Sequence, residues 1–593
     1  MSDNRDRRSP FRRAVRVAVP FAAMLGLAIS GAGAETKQGT AEDYPTSLSG
    51  NYLAATIADK SRDMASASEY YLEALADSPN DPDLIDRSLP PLLAAGKITE
   101  AVDLAKRRTK MEGESRLSQL VIGVDQLKAR QYAAAQTALA KSGAGPIAEL
   151  IANVLVAWAM QGAGDTDGAL KQIDEKLKGQ DWYASFTEFH AGLIAELAGR
   201  QDEAMRRMAK AYEADPAVLR VVEAYGELKQ RAGDTEGVAE LFNEVAAKVP
   251  DHPLIQRDLA LLKEGKPLPP IATNVQAGAA HLLYDVGSAI GRDGGEELAA
   301  IYLQLALHLN PKFDLALFGV GDLFEAMQQY ELAIATYDSV PADSPLRRSA
   351  MIQAALDLDV LDRPEEARKR VEPLIEANPG DIEAITALGN ILRSRKDFAA
   401  AAEIYTRGID TLGTPEERHW MLYYFRGICH ERTKQWPKAE ADFKTALKLH
   451  PDQPLVLNYL GYSWVDQGMN LDEALDMIKK AVELRSDDGY IVDSLGWVYY
   501  KLGRYEEAVG ELEKAVTLRP EDPLINDHLG DAYWRVGRRL EAKFQWNHAR
   551  DLKPEEEELP RILKKLEVGL DAATPDAVQA NDGPAGGSGM DAH

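Results

Sequence analysis

Four glycines in the last third of the chain set its period. Gly427, Gly461, Gly496 and Gly530 are spaced 34, 35 and 34 residues apart. Ala439, Ala508 and Ala542 each stand 12 residues after the glycine of their own unit, and Ala446, Ala515 and Ala549 stand 19 after. Pro451, Pro520 and Pro554 follow at 24. The unit of Gly461 keeps the rule with one inserted residue, through Ala474 and Ala481. A fixed period of this length implies one supersecondary unit repeated, and it overrides the roughly four domains that 593 residues would otherwise suggest. Small residues at fixed offsets let two antiparallel helices approach closely, and the proline ends the second helix before the next begins. One such pair cannot bury its apolar face alone, so the units must stack into a solenoid.

The 34-residue spacing with Gly, Ala, Ala and Pro at these offsets resembles the tetratricopeptide repeat. Trp464, Tyr499, Tyr533, Phe443 and Phe544 are expected to fill that family's aromatic positions. The register extends backwards through Gly389, Ala355, Gly321 and Gly287, and through Gly226 and Gly192 with Pro250 and Pro216. Weaker units lie around Ala169, Ala134, Ala101 and Ala67. The expected fold is an all-α superhelical solenoid of about fourteen units over residues 45–556, built as one or two solenoids. A Pro-rich segment, 263–274, is read either as a linker or as a long loop between repeats. As a linker it divides a degenerate solenoid over 35–262 from a regular one over 275–556. Residues 557–570 form a charged amphipathic helix expected to cap the last repeat, and 571–593, rich in Gly, Ala, Asp and Pro, are expected to be disordered.

Residues 1–34 are an address. Arg5, Arg7, Arg8, Arg12, Arg13 and Arg16 precede an apolar run from Val17 to Ile29, then Ala32-Gly33-Ala34 offers a cleavage site. This is the order of a secretory signal peptide, and the run is too short to span a bilayer as a helix. An uncleaved anchor is the alternative. The expected location is the periplasm. With residues 1–34 removed, 62 basic face 92 acidic residues, a charge near −30 that argues against a sequence-independent nucleic-acid binder.

Catalytic motifs are absent from the sequence. His430-Glu431 lacks the second His of a zinc-protease helix, Gly319-Val320-Gly321 has no strand before it, and there is no P-loop or nucleophile elbow. The single Cys, Cys429, falls inside a repeat helix and excludes a disulfide framework. No enzyme activity, metal or cofactor is expected. An enzyme would need convergent polar residues with shifted pKa values around residues 100–180.

A solenoid of helix pairs acts by binding, and in this repeat family the first helix of each unit lines the concave side. Offsets −6, −3, +1 and +4 from the glycine share one stripe of that helix. The stripe reads Met421, Tyr424, Ile428, Glu431; Leu455, Asn458, Tyr462, Val465; Tyr490, Asp493, Trp497, Tyr500; and Leu524, Asp527, Asp531, Trp534. Its sixteen positions hold six aromatics and four carboxylates but no Lys or Arg, which suits a peptide with apolar anchors and positive charge. The candidate binding residues are therefore Tyr424, Glu431, Asn458, Tyr462, Tyr490, Asp493, Trp497, Tyr500, Asp527, Asp531 and Trp534. For any one aromatic, packing against the neighbouring unit is the competing reading.

The runs Leu457-Asn458-Tyr459-Leu460-Gly461-Tyr462, Ile491-Val492-Asp493-Ser494-Leu495-Gly496-Trp497 and His528-Leu529-Gly530-Asp531 resemble a family of bacterial envelope proteins. Its best understood kind is a lipoprotein adaptor that presents cell-wall hydrolases to a periplasmic carboxy-terminal processing protease. The resemblance implies a non-catalytic adaptor whose partners are such a protease and its substrates. The departure is that no Cys stands at the signal cleavage site, so no lipid anchor is expected, nor a transmembrane helix in the mature chain. The alternative is a scaffold for outer-membrane or exopolysaccharide assembly, which surface polysaccharide defects with unchanged hydrolase levels in a deletion strain would favour.

Overall fold

A computed structural model describes residues 47–573 apart from 114, 178–182 and 293. The expected signal peptide, residues 1–34, and the expected disordered tail beyond residue 573 lie outside the described residues. Within them the chain is all-helical, with fourteen antiparallel helix pairs, one unpaired helix between pairs, Pro253–Lys263, and two helices after the last pair, Leu559–Val568 and Leu570–Ala573. Regular pairs fill the degenerate N-terminal region as well, beginning with Leu48–Lys60 and Met64–Asp77. No described helix is long and apolar enough to cross a membrane.

The period is built from three local devices. Many helices open on an aspartate whose carboxylate accepts from the backbone of the first turn, as Asp381 does from Ala384 N at 3.0 Å and Asp522 from Ile525 N at 2.9 Å. Seven residues after the repeat glycine the chain turns through the left-handed region. Gly468, Gly503 and Gly537 hold that step in three units, while Lys396 and Lys434 hold it at φ 60° in two others. The third device sets how closely the two helices approach. The repeat glycine faces the residue 16 positions later, so that a Cβ on Gly427 would stand 2.7 Å from Phe443, and one on Gly389 2.4 Å from Tyr405.

The left-handed step makes a direct prediction. A side chain there costs about 1–2 kcal/mol in backbone sterics, partly offset by the entropy a glycine gives up. Lys434→Gly is expected to raise stability by about 0.5–1 kcal/mol, read as a higher urea midpoint with unchanged slope.

The +16 rule corrects one sequence expectation. Phe443, Trp464, Tyr499 and Tyr533 are buried as expected, but Phe544 is 69 % exposed and Trp546, at 0 %, fills the position against Gly530. Cys429 is buried, and burial pushes its thiol up to about 12.

The chain forms two compact units that divide in sequence at Arg370 and Val371. In the first, the segment read as a linker is pinned rather than free. Gln230 donates to Lys266 O at 2.9 Å and accepts from Leu268 N at 2.8 Å, while Leu268 is buried with Val222, Phe242 and Ile255. Beyond it, helix Val275–Arg292 packs on Pro146–Gly162, and Glu296–Leu309 on Pro82–Ala94 and Arg116–Lys128. Those contacts hold residues 263–274 inside a single compact unit.

In the second unit, one core runs from Tyr423 and Phe443 through Trp464, Ile478 and Leu512 to Trp546. First helix Pro454–Asp466 touches Gly489–Lys501, which in turn touches Pro523–Arg535. The second helices Leu471–Leu484, Tyr505–Leu518 and Arg539–Asp551 approach one another less closely. The first helices therefore line the inside of the turn.

Candidate functional site

The stripe chosen from sequence lies on that inner side, and its residues divide by depth. Tyr424, Asn458, Asp493, Asp527 and Asp531 are buried, as are Ile428 and Val465. Glu431, Tyr462, Tyr490, Trp497, Tyr500 and Trp534 are half-buried, and none of the eleven candidates is fully exposed. Close approach of successive first helices explains the difference. Tyr424 packs edge-on to Tyr459 at 6.0 Å and belongs to the core, while Glu431 is tied down as the acceptor of Tyr459 Oη at 3.2 Å. Tyr490 lies under the Arg519 guanidinium at 5.2 Å.

The remaining residues come together around helices Gly489–Lys501 and Pro523–Arg535. The Trp497 indole stacks between Tyr500, at 4.7 Å and 3°, and His528, at 4.0 Å and 15°. His528 Nδ1 lies 3.0 Å from Asp493 Oδ1. Burial alone would lower the His528 pKa, but the Asp493 carboxylate beside it raises it above the ordinary histidine value. One turn on, Asp531 accepts from Trp546 Nε1 at 2.9 Å. The core tryptophan and the inner-face carboxylate are thus one hydrogen-bonded pair.

The occupant of the acidic site is a lysine from the C-terminal helix Leu559–Val568. Lys565 Nζ donates to Asp527 Oδ2 at 2.6 Å and to Asp531 Oδ2 at 2.8 Å, and the residue is only 3 % exposed. Burial alone would lower the ammonium pKa, but the two aspartates outweigh it and push it up to about 12. Burial also raises Asp531, to about 6, against the pull of Lys565.

Past Gly569 the short helix Leu570–Ala573 continues over the same face. Asp571, read from the sequence as the start of a disordered tail, accepts from Trp534 Nε1 at 2.9 Å and from Arg535 Nη1 at 3.0 Å. Arg535 Nε in turn donates to Tyr500 Oη at 3.2 Å. A Cβ on Gly569 would stand 2.5 Å from Trp534 Cζ2, and its φ of +81° is itself a glycine conformation, so the indole is covered where the chain passes. Sequence reasoning found the two aspartates and the aromatics but missed Lys565. Its signal was a lysine on the apolar side of an amphipathic helix, three residues after Ile562 and one before Leu566.

In the first unit, His190 is buried, with Trp158 Nε1 donating to its Nδ1 at 3.4 Å. Its Nε2 lies 3.7 Å from Asp285. Burial drives the histidine down to about 3 and the carboxyl up to about 7, which favours a neutral pair. This pair lies outside residues 100–180, the region in which convergent polar residues would support an enzyme. Among the described residues no group of three or more His, Cys, Asp or Glu is placed to hold a metal ion.

Three segments match models of the tetratricopeptide repeat: residues 352–413, 420–453 and 496–537. A TPR repeat-containing protein of Pseudomonas aeruginosa is 29 % identical over 197 residues, 32 % of this chain and 32 % of that protein. The BBSome complex member BBS4 of Bos taurus is 30 % identical over 108 residues, 18 % of this chain and 20 % of that protein. The chain therefore spans about a third or less of the length of these relatives. Among solved structures, the APC/C hetero-tetramer Cut9-Hcn1 aligns over 88 % of this chain and 96 % of that one, at 14 % identity and a TM-score of 0.38. A tetratricopeptide repeat protein from Parabacteroides merdae aligns over 48 % of this chain and 97 % of its own, at 15 % identity and a TM-score of 0.32. The matched segments, on helix pairs of the expected spacing, mean that this chain is an α-solenoid carrying tetratricopeptide repeats.

Proposed function

We propose that the protein is a non-catalytic periplasmic scaffold whose inner face, between Tyr462 and Trp534, binds a basic segment of a protein partner. Tetratricopeptide repeats imply a protein–protein interaction scaffold, and the chemistry of this face supports the choice of partner. The observation that carries the reading is the stripe itself: its helices bring aromatics and carboxylates to one side and contribute no Lys or Arg at those positions. Such a face anchors apolar side chains and discriminates by charge. The family resemblance read from residues 457–462, 491–497 and 528–531 supports a processing protease and its cell-wall hydrolase substrates as the partners.

The test is native affinity purification from envelopes with the full chain and with Trp497→Ala. Trp497 is half-buried and stacked on the inner face, so its loss should reduce partner recovery about tenfold or more while the thermal transition stays close to that of the parent chain. Recovery of no processing protease by the parent chain would sink the protease reading. Equal partner recovery by Trp497→Ala would sink the inner face as the binding site.

A further inference from the structure

We propose that helix Leu559–Val568, with Leu570–Ala573, is a displaceable internal ligand of the inner-face site, and that the site's external ligand is an amphipathic segment presenting a lysine from its apolar side to Asp527 and Asp531. The inference rests on the inner face being the binding site, and names what it recognises.

The segment has the features of a ligand rather than of a repeat. It is ten residues long, too short to be a stable helix by itself, and it follows the non-helical stretch around Lys553 and Pro554. Its outer side is bare, with Leu563 45 % and Val568 48 % exposed. Among its apolar residues from Leu559 to Leu570, only Ile562 and Leu570 are fully buried. A repeat helix of the same unit, Pro523–Arg535, buries a run of nine from Ile525 to Tyr533.

The buried contact of Lys565 with Asp527 and Asp531 is a poor device for holding a solenoid end shut. Taking an ammonium and two carboxylates out of water costs about what their attraction returns, and an apolar side chain of similar size would serve stability as well. What the arrangement supplies is selectivity, because a rival segment lacking the cation leaves the Asp527 and Asp531 carboxylates buried without the lysine's countercharge. The stripe provides no cation of its own, so the charge must arrive with the occupant. The recognition pattern is legible in the occupant: an apolar residue, lysine three positions later, another apolar residue five beyond that, then a carboxylate for Trp534 and Arg535.

The probe is a fluorescein-labelled synthetic peptide of residues 558–573, titrated into the full-length chain and followed by anisotropy. Lys565→Glu in the full chain should evict the internal segment, and the peptide should bind it at least tenfold more tightly than it binds the parent chain. Leu570→Asp, which leaves every acid of the site in place, should produce the same gain and guards against a folding defect specific to K565E. Adding Asp527→Asn and Asp531→Asn to either variant should remove the gain. A peptide carrying Lys565→Met should bind at least tenfold more weakly. Equal peptide affinity for parent and both evicting variants overturns the proposal, as does equal affinity of the Met peptide. A concentration-dependent dimer of the parent chain that K565E dissolves would overturn the internal occupant in favour of exchange between copies. Partner capture that is equal with and without K565E defeats the internal ligand and leaves the scaffold reading standing. Peptide exchange with no partner recovered from envelopes defeats the scaffold reading alone.

Discussion

Trp546→Ala is expected to destabilise the second unit by about 3–5 kcal/mol, the usual range for emptying a buried tryptophan site. The side chain is fully buried, packs directly on Gly530 and lies 5.4 Å from the Trp534 ring. The hole would open between two helices whose separation the glycine has already fixed at its minimum, leaving little room to collapse. Phe544→Ala, two residues away on the same helix, is expected to change stability by less than about 0.5 kcal/mol because that ring faces solvent. Urea unfolding of the two variants, followed by circular dichroism, checks the contrast. A large loss for Phe544→Ala with a small one for Trp546→Ala would mean that the helix sits in the register the sequence first suggested.

That contrast marks what the sequence could and could not carry. Period and helix pairing follow from spacing, because glycine, alanine and proline act through backbone sterics that repeat identically in each unit, whereas the choice of the first helices as the inner side was implied by the resemblance to the tetratricopeptide repeat. Aromatic placement was misread at Phe544 since two aromatics stand near the same offset. The interval from Gly427 to Phe443 and from Gly389 to Tyr405 is 16, and the same interval from Gly530 points to Trp546. Depth within the stripe is different in kind. Tyr424 and Trp497 hold equivalent faces of their helices, yet one is core and the other half-buried. Their depth depends on how closely neighbouring first helices approach, which one helix's periodicity does not encode. Lys565 was hidden for the same reason. An amphipathic helix with lysine on its apolar side announces a buried charge, but which acids receive it is settled only by the turn at Gly569 and by curvature bringing Asp527 and Asp531 beneath it.

Asp531→Ala should cost about 3 kcal/mol, and the reason lies in what it abandons rather than in what it removes. Two donors lose their acceptor together: the Trp546 indole N–H inside the core and the Lys565 ammonium above it. A buried N–H left without a partner costs about 1–3 kcal/mol. A buried cation with half its countercharge would cost more, but that penalty has a ceiling, because the C-terminal helix can leave and return Lys565 to water. The ceiling is the free energy of docking, set by Ile562 and Leu570 at about 1.5–3 kcal/mol each before the entropy of ordering the segment is subtracted. Asp531→Asn keeps an oxygen for the indole and should cost less than alanine. The two roles of Asp531 separate in a cycle with Trp546→Phe, which keeps an aromatic ring and deletes the N–H. Coupling of about 0.5–1.5 kcal/mol between Asp531→Ala and Trp546→Phe is the expected worth of the core hydrogen bond. The part of the Asp531→Ala cost that falls away in a Lys565→Met background belongs to Lys565. Zero coupling in both backgrounds would mean that the acid neither steadies the core tryptophan nor holds the C-terminal helix, and that the inner face is shaped without it.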